Sequence, residues 1–248
     1  CAPLMVKGNV LGALEVINKR KGDGLFDQAD RRLLQVLAGM VSLAVHNARM
    51  TGALVEQERM RRELDLAREI QRDLLPVQPT ADFPVQGLNL SAMEVSGDFY
   101  DFFRLSDGRI AWGLGDVSGK GMNAAMLMAK TISLFRCLGK SIHDPSRLLA
   151  QLNDEIAETA SRGMFVTMAA GVFDPVSREI VFANAGHQPP LFRSSAGNYC
   201  ELEESSLPLG IMTGVGYVEQ RIVLDGGRLY VFTDGVTEGR TGEGSMLE

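Results

Sequence analysis

Ile110-Ala111-Trp112-Gly113-Leu114-Gly115-Asp116-Val117-Ser118-Gly119-Lys120-Gly121-Met122 is the stretch on which the reading of this chain turns. An apolar run ends on a carboxylate, a glycine-rich turn follows, and helix formers with apolar spacing begin at Met122. The spacing predicts a buried strand over 110–114 and a packed helix from 122 onward. Asp116 therefore stands at a strand end between two rigid elements, where a group that does chemistry is best held.

Around this stretch lie 248 residues, 45% hydrophobic and 23% charged, enough for a sizeable core in one large domain or two smaller ones. The 25 basic and 31 acidic residues leave a net charge of -6, and no basic cluster alternates with aromatics, which argues against a nucleic-acid partner. Cys1, Cys137 and Cys200 are too few and too scattered for a disulfide framework or a metal knuckle, and predict a reducing compartment. There is no charged-then-apolar leader and no apolar run of about 18 residues, so a cytoplasmic chain without a membrane segment is expected. The chain opens on Cys1-Ala2-Pro3 and closes on Met246-Leu247-Glu248 soon after a strong motif, so it is expected to be cut at both ends.

Working outward to the start, residues 4–7 and 10–18 read as two strands around a Gly8-Asn9 turn. Asp27 is the expected cap of a long helix, with Asp30 where a capping box would place Glu or Gln. Val10-Leu11-Gly12-Ala13-Leu14-Glu15-Val16-Ile17-Asn18-Lys19, then Leu25-Phe26-Asp27, Leu37-Ala38 and Ala44-Val45-His46-Asn47-Ala48-Arg49 resemble the end of a GAF domain, its last two strands and final helix. Met50, Ala53, Gln57, Met60, Leu64, Ala67, Gln71 and Leu74 then fall on alternating three- and four-residue steps, the seam of a coiled coil. Charged residues crowd the other positions, and Gln57 and Gln71 weaken the seam without breaking it. Two arrangements fit: a parallel homodimer through residues 50–75, or one long helix packed on its own domain. Pro76 and Pro79 end the helix.

Beyond Pro84 the pattern becomes strands with two helices. Strands are expected at 88–93, 97–105, 110–114, 165–173, 179–184, 217–224 and 228–233, and helices at 121–139 and 145–160, the second capped by Asp144 or Ser146 with Pro145 in its first turn. This order predicts an α+β fold of packed antiparallel sheets flanked by helices.

Three aspartates, Asp98, Asp116 and Asp234, each lie beside a glycine at an expected strand end. Hard divalent cations want oxygen ligands that converge from separate elements, and adjacent glycines let the backbone come close. Singly, an Asp-Gly is usually a turn; three of them after apolar runs point to a metal site.

Together with their surroundings they resemble the metal-dependent 2C-type protein phosphatases, in the bacterial branch of stage II sporulation protein E and RsbU. The resemblance is carried by Glu94-Val95-Ser96-Gly97-Asp98-Phe99-Tyr100-Asp101, Gly115-Asp116-Val117-Ser118-Gly119-Lys120-Gly121, Asn184-Ala185-Gly186-His187-Gln188-Pro189-Pro190, Leu207-Pro208-Leu209-Gly210-Ile211 and Phe232-Thr233-Asp234-Gly235-Val236-Thr237-Glu238. The helix end Glu69-Ile70-Gln71-Arg72-Asp73-Leu74-Leu75-Pro76 looks like the linker that precedes such domains. It implies an αββα sandwich and hydrolysis of phosphoserine or phosphothreonine on a protein by a metal-activated water, with two Mn2+ or Mg2+ ions. By position, Asp116 would bridge both metals and place the water, the Val117 carbonyl would assist one metal, and Asp98 and Asp234 would hold the flanking ions. Gly119, Asn184, Gly186 and His187 would support the site, His187 as a structural residue of the turn. The family adds a later metal-binding aspartate, and no Asp follows Asp234 here.

The resemblance also implies a phosphorylated anti-sigma-factor antagonist of the STAS type as substrate. The expected organisation is 1–49 as the C-terminal part of a GAF-type sensor, 50–84 as coiled-coil helix and proline-containing linker, and 85–248 as a C-terminally truncated phosphatase domain. A P-loop is excluded, because Leu114 stands where its first glycine belongs and Gly121 follows Lys120. The rival reading is a catalytically silent phosphatase fold that binds a partner in signalling.

Overall fold

The computed structural model describes residues 1–20, 22, 24–77, 83–90, 95–158 and 163–237. Residues 1–63 and 64–248 form two compact units. In the first, β1 (Ala2–Val6) and β2 (Asn9–Leu14) pair as an antiparallel hairpin. Val6 pairs with Asn9, and Lys7 and Gly8 both have positive φ, so the tight turn is Lys7-Gly8 and not the expected Gly8-Asn9. The second strand stops at Leu14, four residues short of expectation.

Helix α1 (Gln28–Leu74) follows without a break. Asp27 Oδ1 accepts from the Ala29 and Asp30 amides at 2.8 and 2.9 Å, and Asp30 Oδ2 accepts from the Asp27 amide at 3.0 Å. Asp30 thus completes the reciprocal cap that a Glu normally closes. Along the seam, Met50, Ala53, Gln57 and Met60 are exposed, whereas Leu64, Ala67 and Leu74 are half-buried and Gln71 is buried in the second unit. The last turns of the seam are therefore occupied by the helix's own domain. The helix ends two residues before Pro76, as that proline requires.

The second unit is built on a five-stranded antiparallel sheet of β3 (Phe99–Arg104), β4 (Ile110–Val117), β5 (Val166–Phe173), β6 (Glu179–Ala185) and a later strand. Between β4 and β5 run α2 (Met122–Leu138) and α3 (Pro145–Ala157). Asp144 caps α3, its carboxylate accepting from the Arg147 amide, with Pro145 in the first turn. β7 (Leu191–Arg193) and β8 (Tyr199–Glu201) come next, then β9 (Glu219–Val223), which closes the large sheet in the order β3-β4-β5-β6-β9. β10 (Arg228–Tyr230) joins β7 and β8 in a three-stranded antiparallel sheet, and α4 (Asp234–Thr237) is one helical turn.

Strand alternation gives the large sheet two apolar faces. One carries Phe99, Val117, Met168, Ala170 and Ala183 against Met128, Ile132 and Phe135 of α2 and Leu149, Leu152 and Ile156 of α3. The other carries Tyr100, Phe102, Trp112, Ala169 and Phe182, with Leu202 and Leu229 packed against them. The expected class, antiparallel sheets with flanking helices, is the one observed.

Other elements depart from expectation, and β10 stops at Tyr230, three residues short. Residues 88–90 pair with no strand, and Leu88 and Leu90 are 75% and 82% exposed; 91–93 lie outside the described residues. Strands β7 and β8 were unforeseen, being three residues long and half-buried or exposed. Among the described residues no helix is long and apolar enough to cross a membrane.

Candidate active site

Strand register brings the two leading aspartates together. β3 pairs with β4 so that Phe99 faces Gly115 and Tyr100 faces Leu114, and Asp98, the residue just before this ladder, is brought into hydrogen-bond contact with Asp116. Alternation along β4 places Asp116 on the face of Trp112 and Leu114, and Asp98 meets it from the segment just before β3. Gly97, outside the ladder, lies against Val117. A methyl group at Gly97 would lie 3.0 Å from the Val117 carbonyl oxygen and 3.1 Å from Asp116 Oδ1. Two oxygens of neighbouring residues thus converge on a space that only glycine leaves open.

Asp98 is held on three sides. The Ser96 hydroxyl accepts from its amide at 3.0 Å, Asn89 Nδ2 donates to its carbonyl at 3.1 Å, and the Thr233 hydroxyl donates to its Oδ2 at 3.1 Å. Asp116 is pushed up to about 7, first by burial, then by a hydrogen bond with Asp98 and by the charges of Asp98 and Asp234, against an opposing bond from the Val117 backbone. Opposed, partly desolvated carboxyls hold a proton when no cation screens them. The same oxygens, with the Val117 carbonyl, are a hard donor set that fits Mg2+ or Mn2+.

Asp234 is placed differently from expectation. It opens α4, four residues beyond the end of β10, and acts on Asp116 and His187 through its charge. Among the described residues no group of three or more His, Cys, Asp or Glu is close enough to hold a metal ion, so Asp234 stands beside the Asp98–Asp116 pair and not within one ligand cluster. Asp98 likewise precedes its strand instead of ending one. Glu94 and Glu238 lie outside the described residues.

The turn after Asp116 is pinned to the residue just before β5, because Ser118 donates its amide to the Phe165 carbonyl and accepts the Phe165 amide on its hydroxyl. Gly119 and Gly121 then take φ of 92° and 80°, a region side chains avoid, which lets the chain reverse into α2. At the β6 end, Asn184 brackets His187, accepting its amide at 2.8 Å and donating to its carbonyl at 3.0 Å, while the Gly186 amide donates to the Ser205 hydroxyl. His187 is buried, with Nε2 3.0 Å from the Phe232 carbonyl and Nδ1 2.9 Å from the Thr167 hydroxyl. A carbonyl only accepts, so Nε2 carries the proton and Nδ1 accepts from Thr167. Burial pushes the imidazole pKa down. Both ring nitrogens are engaged in tying β5 to the segment that delivers Thr233 and Asp234.

Several contributors escaped the sequence reading. Thr233 orients Asp98, and Asp101 makes a two-point ion pair with Arg136 of α2 at 2.6 and 2.7 Å. Gln71 reaches Ser96 across 25 residues. Its polar side chain on an apolar seam was the one available signal.

Residues 106–248, more than half the chain, match the stage II sporulation protein E (SpoIIE) family, and residues 1–45 match the GAF domain. The phosphoserine phosphatase RsbU of Bacillus subtilis (strain 168) is 30% identical over 196 residues, 77% of this chain and 58% of RsbU. This chain thus spans little more than half of that relative. Among solved structures, the SiaA-PP2C domain of Pseudomonas aeruginosa aligns with a TM-score of 0.61 at 20% identity, over 75% of this chain and 76% of that one. RsbX in complex with magnesium aligns at 0.50 and 16% identity, over 60% and 71%. These two share the fold. On the extent of the family match, the chain belongs to the stage II sporulation protein E family.

Proposed function

We propose that the chain is the catalytic part of a metal-dependent protein-serine/threonine phosphatase. The observation that carries this reading is the convergence of Asp98, Asp116 and the Val117 carbonyl around Gly97. When bound, two Mn2+ or Mg2+ ions supply a water of lowered pKa and offset charge on the phosphoryl oxygens. The chain's own part is to hold Asp116 centrally, to fix Asp98 through Ser96 and Thr233, and to present Asp234 from α4. His187 keeps the Phe232–Thr233 segment in place.

The test is phosphate release from a phosphoserine protein with Mn2+, with and without a chelator. Metal-dependent turnover, lost at least about 100-fold on chelation, is expected. Silence under every condition would favour the alternative of a partner-binding module without the reaction. That alternative draws on Asp234 standing outside the carboxylate pair.

By family resemblance, the substrate is a phosphorylated STAS-type antagonist of an anti-sigma factor, acted on in the cytoplasm. Residues 1–49 are the tail of a GAF-type sensor, 50–84 the connecting helix and linker, and 85–248 the phosphatase domain. The sensor acts through a homodimeric helix within 50–75, paired over its first turns, where Met50 and Met60 are 51% and 57% exposed and available to a second copy, and not over Leu64–Leu74, which the helix's own domain covers. Met60→Glu is expected to convert a dimer to a monomer in sedimentation; a wild-type chain that is already monomeric at micromolar concentration would remove the dimer.

A further inference from the structure

The segment that delivers Asp98 is held by the end of helix α1. Strand β3 begins at Phe99, so Ser96 and Gly97 lie outside the sheet ladder. Gln71, in the last turn of α1, supplies the missing partners. Its Oε1 accepts from the Ser96 amide at 3.1 Å, and its Nε2 donates to the Ser96 carbonyl at 3.0 Å and to the Ala125 carbonyl at 3.4 Å. The Gln71 residue is 8% exposed. An amide N–H can only donate and a carbonyl can only accept, so these three partners fix which end of the side-chain amide is oxygen.

The connections continue in both directions. Ser96, whose backbone Gln71 grips at two points, accepts the Asp98 amide on its hydroxyl. Ala125 belongs to the first turn of α2, the helix that begins just past the Asp116 turn, and its own amide donates to the Gly121 carbonyl. A single side chain therefore ties the segment before Asp98 to the helix after Asp116.

From this geometry we infer that Gln71 is a positioning residue for the metal site: it sets where Asp98 stands relative to Asp116 by clamping Ser96 to the first turn of α2. The inference rests on the metal-dependent reading above. Gln71→Leu keeps the bulk and removes all three hydrogen bonds. Gln71→Glu keeps the shape and turns a carboxylate oxygen toward two carbonyls. Neither change touches Asp98 or Asp116.

Mn2+ affinity, measured from the electron paramagnetic resonance signal of free Mn2+, is the first readout. Both variants are expected to weaken binding about tenfold or more, as the loss of oriented supporting hydrogen bonds around metal ligands does. Turnover at saturating Mn2+ should recover toward wild type, because the ligands themselves remain. Hydrogen exchange should rise at residues 95–98 while β5 stays protected, which separates a displaced segment from an unfolded domain.

Wild-type affinity in both variants would overturn the inference. So would exchange that rises equally in β5, since Gln71 would then be a general core residue; Gln71→Glu guards this comparison should Gln71→Leu fail to fold. Failure of the wild-type chain to bind Mn2+, or binding unchanged in Asp98→Asn, would overturn the metal reading itself, and that result is distinct from the first.

Discussion

Asp116→Asn is expected to reduce metal-dependent phosphate release by about 10²–10³-fold or more, and at the same time to raise the melting temperature of the metal-free protein at pH 8. The first effect follows from removing a charged oxygen from the centre of the site, where one stabilising group commonly carries that much. The second follows from the contact between the Asp98 and Asp116 carboxyls, since two like charges held together and partly buried are destabilising. Burial and the Asp98 carboxyl raise Asp116 from 3.8 to about 7. A group with a raised folded pKa binds its proton more tightly in the folded state. The stability it contributes is complete below about pH 4 and is lost as pH climbs through 7. In chelator, wild type should therefore melt progressively lower between pH 5 and pH 8 than the asparagine variant, with the gap widest at pH 8. Saturating Mn2+ should reverse the order, because only wild type keeps the full donor set. Parallel melting curves across that pH range would mean the two carboxyls are not in contact, and retained activity would remove Asp116 from the chemistry.

How much of this was open to a reader of the sequence depends on the range of the interactions. Local patterns were readable: the apolar run of β4, the Asp27 and Asp144 caps, and the helix end before Pro76 are decided within a few residues. The contact between Asp98 and Asp116 needed the register of β3 on β4, and Asp98 was placed at a strand end when it precedes one. Residues 88–90 alternate as a strand would, yet Leu88 and Leu90 lie exposed and the segment has no ladder partner among the described residues. Strands β7 and β8 carry too few buried side chains for a period of two to register. Gln71 read as a flaw in a helix seam because its partners lie 25 and 54 residues away. The sequence shows that a polar group interrupts an apolar stripe, and only tertiary contact shows what satisfies it.

The second large effect concerns Asp101 and Arg136, and it is expected to be lopsided. The Asp101 side chain is fully buried, while that of Arg136 keeps 40% of its exposure. Arg136 donates to both Asp101 oxygens, and its Nη2 lies 3.4 Å from the Leu74 carbonyl at the end of α1. Arg136→Ala strands a carboxylate in the interior with one remaining hydrogen bond among the described residues, from the Phe102 amide. Leaving a buried charge unpaired costs about 3–5 kcal/mol, or roughly 6–20 °C in melting temperature for a domain of this size. Asp101→Asn leaves the guanidinium able to turn to water and the amide able to accept, so about 1–2 kcal/mol is expected. The double change Asp101→Leu with Arg136→Met should recover most of the loss, because an apolar pair of similar volume meets no desolvation penalty. Denaturant titration of the four proteins measures each step. Equal, small losses in the two single variants would show that water reaches Asp101. A double variant no better than Arg136→Ala would show that the ion pair, and not the burial of its carboxylate, governs how β3 sits against α2.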